Sequence, residues 1–324
     1  MATEAISSNP VLRLGRHVTW ILVLATLLGF ALVDQNVLTA RNLRNILIQT
    51  SYTTIFACAQ MFVILVRGFD LSLGAGVSLI SVVVALVTTA VLGDGSAGLA
   101  VAAGIGAALA AGFALGLFNG ACTAWLGVNP FVVTLGSMNI AFGLASTISG
   151  GRPVFGVPDE FSDLFYGELA GVPIPILIAA AVCLVSHWLL SSTVYGRSVY
   201  LIGTNERAAY VAGVPTRRFL VTTYVIASLL VALGAMMLTA RTGSGEPSLG
   251  ASLLLPSIAA AVIGGLSLQG GSGGVINALL GALFISVLSN GMNLIEVNGY
   301  LQDIVLGLVI LGALYLDRFR RGRA

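Results

Sequence analysis

The chain has 324 residues, of which 57% are hydrophobic and 9% charged, with a mean hydropathy of +1.00 and a formal net charge of +2. An ordinary soluble domain carries about 25% charged residues, so a water-soluble fold is excluded and an all-α membrane protein, a polytopic helical bundle, is expected. All fifteen basic residues are Arg. Without Lys there is no Walker A loop, Schiff-base lysine or Ser–Lys dyad, and the scattered charge leaves no footprint for nucleic acid.

A membrane helix needs about 20 mostly apolar residues to cross a ~30 Å hydrocarbon core. Ten segments meet or approach that length: 17–34, 46–66, 71–92, 98–118, 131–149, 173–191, 219–240, 255–269, 274–295 and 301–316. The chain thus divides into an N-terminal tail over 1–16, a membrane domain over 17–316 and a C-terminal tail over 317–324. The first segment is longer than a signal-peptide core and no A-x-A site follows it, so it is read as a retained helix. With the N-terminus in the cytoplasm, Arg13, Arg16, Arg67, Arg197, Arg207, Arg217, Arg218, Arg318, Arg320, Arg321 and Arg323 fall inside, and Arg41, Arg44, Arg152 and Arg241 outside. That bias satisfies the positive-inside rule and puts both termini in the cytoplasm. The connection 150–172, with Asp159, Glu160, Asp163 and Glu168, is then external, and 192–218 is cytoplasmic.

Where the second and third segments meet, Arg67-Gly68-Phe69-Asp70-Leu71-Ser72-Leu73-Gly74 leaves too few polar residues for a normal loop. Either Arg67 and Asp70 end helices at the interface, or the backbone breaks against neighbouring helices within the membrane. In the fourth segment Gly112, Gly116 and Gly120 form a GxxxGxxxG run, the pattern of close helix packing. Asn119-Gly120 and Asn290-Gly291 recur half a chain apart, each followed by a Val-Asn step at Val128-Asn129 and Val297-Asn298. A weak two-half pseudo-repeat is therefore expected. Asn119, Asn129, Asn139, Asn290 and Asn293 are amides that can bond between helices or to a polar solute. Arg67, Asp70, Asn119, Asn129, Asn290 and Asn293 are the candidates for a translocation path or gate.

In the 192–218 connection, Thr204 or Asn205 can cap a short helix that Gly213 ends and Pro215 forbids from continuing. At about 12 Å it is too short to span. It would present Ala208, Ala209 and Tyr210, with Glu206 and Arg207 at its rim; an ordinary loop helix is the alternative. Gly270 to Gly274 lacks a preceding strand and a following Lys, and is a tight cytoplasmic turn rather than a phosphate loop. Cys58, Cys122 and Cys183 are isolated, and His17 and His187 lie at span ends without partners for hydrolysis or metal.

Four stretches resemble one known family: GFDLSLGAGVSL near residue 70, TVYGRSVYLIGTNERAAYVAGV, IAAAVIGGLSLQGGSGGVINALLGALFISVLSNGMNLI and YLQDIVLGLVILGALYLD. In collinear order over roughly 40–317 they are similar to permease subunits of ATP-binding cassette importers for monosaccharides of the ribose, xylose and arabinose type. The resemblance implies a multi-pass protein of the bacterial inner membrane working with a second permease chain, an extracytoplasmic sugar-binding protein and an ATPase subunit. It implies no cofactor on this chain, the ATP being used by the partner. By it, Thr204–Val214 is the helix that couples to the ATPase, and Arg197, Gly203, Thr204, Asn205, Glu206, Arg207, Ala208, Ala209 and Gly213 form the coupling surface. Thr204 departs from the second Gly that many members carry. The rivals are a permease for branched-chain amino acids or a sugar-derived signal, an ion-coupled secondary transporter, and a structural or receptor membrane protein.

Overall fold

The computed structural model describes residues 10–321, with side chains over 19–93, 95–313 and at 315. Of the tails expected over 1–16 and 317–324, residues 1–9 and 322–324 lie outside the described residues, whereas 10–16 and 317–321 are helical; the side chains of Arg13, Arg16, His17, Arg318, Arg320, Arg321 and Arg323 lie outside what is described. In chain order the helices are α1 (Pro10–Val33), α2 (Ala40–Leu65), α3 (Leu73–Asp94), α4 (Ala97–Ala124), α5 (Pro130–Ser149), α6 (Asp159–Tyr166), α7 (Ile174–Ser192), α8 (Val194–Thr204), α9 (Glu206–Val211), α10 (Thr216–Thr242), α11 (Leu254–Ile263), α12 (Val275–Leu294) and α13 (Gly299–Arg321). Two two-residue antiparallel ladders join Val154–Phe155 to Ser244–Gly245 and Glu168–Leu169 to Val172–Pro173. The protein is a polytopic helical membrane protein.

Among the described residues seven helices, α2, α3, α4, α5, α7, α10 and α12, are long and apolar enough to cross a membrane; the apolar stretches Thr19–Val33, Leu254–Ile263 and Gly299–Ala313 are shorter. The segment expected over 255–269 differs most. Its helix stops at Ile263, and residues 264–274 turn through glycines at positive φ (Gly265, Gly270, Gly271, Gly273) that side-chain-bearing residues rarely adopt. Helix starts follow local chemistry. The Thr39 and Ser96 hydroxyls accept from the amides of Asn42 and Leu99, and Asn129 accepts from Phe131 with Pro130 as the first helical residue. Gly150 (φ 62°) and Gly243 (φ 66°) end α5 and α10 in the left-handed conformation.

α2 and α10 cross at the centre, where the Phe56 ring lies against Gly234; a Cβ there would be 2.4 Å from the ring. α4 packs along α10 through the glycine run: Cβ atoms at Gly112, Gly116 and Gly120 would lie 2.8, 2.7 and 2.8 Å from atoms of Ala232, Tyr224 and Val221. Small residues let the two backbones approach, as lipid-embedded helices require. α12 packs on α2 and α1, and α3 and α11 each start beside the other, Gly74 against Gly250.

The arginines segregate to two ends of the bundle. Arg67, Arg207, Arg217 and Arg218 gather around one opening. At the other end Arg44 pairs with Glu168, and Arg241 sits over the Tyr52 ring at 5.7 Å. There the 150–172 connection folds α6 onto the bundle, burying Phe161 and Phe165 and leaving Asp159, Glu160 and Asp163 exposed.

Asn290 and Asn42 form a reciprocal amide pair, each Nδ2 donating to the other's Oδ1 at 2.9 and 3.0 Å. Replacing Asn42 by Leu strands the Asn290 amide and should cost about 1–2 kcal/mol. Asn42 Nδ2 also donates to the Val37 carbonyl at 3.0 Å, so the double variant N42L/N290L should recover the part of that loss due to the stranded Asn290 amide in a four-protein melting cycle in detergent. A double variant as unstable as the sum of the singles would disprove the pairing.

Candidate functional site

Two neighbouring places collect the chemistry-bearing residues. At the first, Thr193 turns α7 into α8: its hydroxyl donates to the Leu189 carbonyl at 2.6 Å and accepts from the Gly196 amide at 3.3 Å. α8 ends at Asn205, which is extended at φ −159° and whose Oδ1 accepts from the Ala208 amide at 3.0 Å, capping α9. Asn205, not Thr204, is therefore the cap. Glu206, Arg207, Ala208 and Gly213 are exposed, Tyr210 and Val211 strongly so. Ala209, expected among the presented residues, is instead fully buried and anchors α9 to the bundle. Arg197 is exposed on α8.

Three backbones meet just behind α9. The Leu65 carbonyl accepts from the Gly271 amide at 2.9 Å, and Gly203 lies so close that a Cβ there would be 1.9 Å from the Leu65 oxygen and 2.4 Å from the Gly271 nitrogen. Arg67, held at φ 62°, sends its guanidinium over this crossing: Nε donates to the Gly203 carbonyl at 2.6 Å and Nη2 donates to the Thr204 carbonyl. Positive charge at the carbonyl end of α8 is favourable. Tyr200 Oη donates to the Gly273 carbonyl at 2.8 Å, and burial pushes its phenol up to about 12. The end of α2, the end of α8 and the 264–274 turn thus form one braced unit. Beside it opens a vestibule of about 950 Å³, lined by Arg67, Trp125, Glu206, Arg207, Arg218 and Tyr224.

The second place is the remainder of the break, 68–72, where Gly68, Asp70 and Ser72 are buried and α2, α4 and α5 supply partners. Asp70 Oδ1 accepts from the Ser72 amide at 2.9 Å and from Ser72 Oγ at 2.5 Å. Asn119 Nδ2 donates to Ser72 Oγ at 2.9 Å, Gln60 Nε2 to the Asp70 carbonyl at 2.8 Å, and Thr134 Oγ1 to the Phe69 carbonyl at 3.2 Å. Side chains from three helices thereby replace the helical hydrogen bonds that the break gives up, which is how non-helical backbone survives inside a membrane protein.

Among the path candidates, Asp70 and Asn119 share this network, while Arg67 belongs to the braced unit. Asn129 caps α5, Asn290 pairs with Asn42, and Asn293 Oδ1 accepts from Gln302 Nε2 at 2.8 Å. Gln60, Ser72 and Tyr200 were not singled out in the sequence. The sequence carries a further signal: Asp70-x-Ser72-Leu73-Gly74-Ala75 and Glu246-x-Ser248-Leu249-Gly250-Ala251 share a pattern half a chain apart, and the fold brings their glycines into contact.

The family model described as branched-chain amino acid transport system / permease component matches residues 42–314. The chain is 33% identical to the D-allose transport system permease protein of Escherichia coli (strain K12), over 92% of this chain and 90% of that one. It is 37% identical to the ribose import permease protein of the same strain, over 88% of each, and 32% identical to the L-arabinose ABC transporter permease protein of Azospirillum brasilense, over 96% and 89%. No solved structure matches it. With helices built to cross a membrane and a family match spanning most of its length, the chain belongs to the family of branched-chain amino acid transport system permease components.

Proposed function

We propose that this chain is the membrane-spanning permease subunit of an ATP-binding cassette importer in the bacterial inner membrane, through which a monosaccharide passes. The observation that carries the proposal is collinear similarity over about nine-tenths of the chain to permeases named for allose, ribose and arabinose. A branched-chain amino acid substrate has only the broad family description in its favour. An ion-coupled transporter has little support, since Asp70 is the one fully buried acid among the described residues and its carboxylate is taken up by Ser72.

An extracytoplasmic binding protein delivers the sugar, a separate ATPase subunit supplies ATP hydrolysis, and a second permease chain completes the path. α9, with Asn205, Glu206, Arg207 and Ala208 exposed at its start, is the part that docks on the ATPase; its anchorage through Ala209 and the Arg67 brace supports this role. About ten helices cross or enter the bilayer, and both termini share the cytoplasmic side with α9. Thr19 bonding to the Ile263 carbonyl beside the 264–274 turn supports that side for α1.

The two halves α2–α5 and α10–α13 are pseudo-equivalent. In support, α2 packs on α12 as α10 packs on α4, α3 packs on α4 and α5 as α11 packs on α12 and α13, and the two Ser-Leu-Gly-Ala runs touch. Such halves can rock about a shared centre, exposing a weak sugar site to either side in turn.

The test is ATP-dependent uptake of D-ribose, D-allose or L-arabinose into proteoliposomes holding this chain with its genomic ATPase neighbour, the binding protein being added outside. Uptake of at least one sugar is expected, and E206A/R207A should lower it more than tenfold. Absence of sugar uptake by the wild-type complex would overturn the function, and full uptake by the double variant would overturn the docking role of α9.

A further inference from the structure

Gly74 and Gly250 meet backbone to backbone: a Cβ on Gly74 would lie 2.4 Å from the Gly250 carbonyl oxygen, and one on Gly250 would lie 1.9 Å from the Gly74 carbonyl oxygen. The Gly250 amide donates to Ser78 Oγ at 3.0 Å, which fastens the crossing. α3 begins at Leu73 and α11 at Leu254, and neither start has a side-chain cap. The crossing therefore lies beside the starts of two apolar helices, each the positive end of a helix dipole, with Pro256 removing one amide donor from the first turn of α11.

A recess of about 200 Å³ opens over this crossing, walled on its other side by Met138, Asn139 and Phe142 of α5. At about 30 Å³ per water molecule it holds the equivalent of about six waters, roughly the bulk of one monosaccharide ring. Its wall combines what a sugar needs. Phe142 is 52% exposed and offers a flat face to ring C–H groups. Asn139 donates Nδ2 to the Leu135 carbonyl at 2.9 Å, which orients its amide. Met138 is an adaptable apolar filler, while the glycine floor keeps side chains away from the backbone.

We propose that this recess, at the contact of the two Ser-Leu-Gly-Ala runs, is where the monosaccharide touches this chain in transit. Asn139 hydrogen-bonds a sugar hydroxyl and Phe142 stacks on the ring, over the floor that Gly74 and Gly250 keep free of side chains. The proposal rests on the sugar-transport function above and identifies where that function acts. It also moves the path away from Asn129, Asn290 and Asn293, none of which lines the recess. The recess is open on one side, as a weak transit site should be when selectivity lies with a separate binding protein.

The test uses the whole reconstituted importer with Cys58, Cys122 and Cys183 replaced by Ala. Ala251, exposed at the rim of the recess, is changed to Cys and exposed to a water-soluble maleimide. The same is done with Asp163→Cys, on the exposed face of α6 outside the membrane-crossing helices. The expected result is labelling of Ala251→Cys that slows at least threefold in saturating amounts of whichever of D-ribose, D-allose and L-arabinose the wild type transports, with labelling of Asp163→Cys unaffected by sugar. N139L and F142A should each lower sugar uptake about tenfold, equivalent to about 1.4 kcal/mol, in complexes that still elute with their partners. If the wild type transports a sugar while Ala251→Cys goes unlabelled or unprotected and both variants transport normally, the recess is not the transit site. If the wild type transports none of the three sugars, the function itself fails.

Discussion

Gly250→Ala is expected to be among the most damaging single-methyl changes in the protein. The new Cβ would sit 1.9 Å from the Gly74 carbonyl oxygen and 2.9 Å from Val77 Cβ. The nearest atom is backbone, so no flexible side chain can swing aside and the starts of α3 and α11 must separate. Inserting a methyl group into a well-packed core costs about 1–3 kcal/mol, and a backbone collision belongs at or above the top of that range. Gly74→Ala should behave alike, since its Cβ meets the Gly250 carbonyl oxygen at 2.4 Å. Gly136→Ala and Gly143→Ala on α5 meet nothing within 4 Å and should be neutral. Melting of the purified permease in detergent checks all four. A Gly250→Ala protein with the wild-type melting temperature would mean that α3 and α11 do not cross this closely.

That crossing also shows what a sequence can and cannot disclose. The spans α2, α3, α4, α5, α7, α10 and α12 were legible because apolar length is the direct signature of a lipid solvent. The short helix after Asn205 was legible because an Asn cap and a Gly-x-Pro stop are local signals. α8 was not. Its sequence, VYGRSVYLIGT, carries two glycines and several β-branched residues, and its helical form depends on burying Val199 and Ile202 against the bundle. α11 read as a longer span because Gly264 and Gly265 sit in an apolar run, where glycine is also ordinary helix-packing material. The partners of Asp70 and Arg67 escaped for a different reason. Asp70 is satisfied by a serine two residues on and its carbonyl by Gln60, while Arg67 bonds only to carbonyls, which no residue type encodes.

Arg67→Gly should separate coupling from folding. Arg67 occupies φ 62°, a conformation that costs a residue with a Cβ but not glycine, so the substitution relieves backbone strain while removing the guanidinium from the Gly203 and Thr204 carbonyls. Thermal stability should therefore stay close to wild type. Transport is a different matter. α9 follows directly on Thr204 and Asn205, and the Arg67 brace ties that point to the end of α2, which is itself bonded to the turn between α11 and α12 through Leu65 and Gly271. Without it, a push on α9 bends the α8–α9 joint instead of moving α2 and α12. Sugar uptake per ATP hydrolysed should fall more than tenfold in proteoliposomes, while the ATPase still co-purifies because the exposed face of α9 is intact. Arg67→Lys, which keeps a charge but loses the planar two-point fork, should fall between the two. A loss of stability in Arg67→Gly as large as its loss of transport would make Arg67 a folding element. Full transport with normal stability would show that the force from α9 reaches the bundle through Ala209 and the Gly203–Leu65–Gly271 crossing alone.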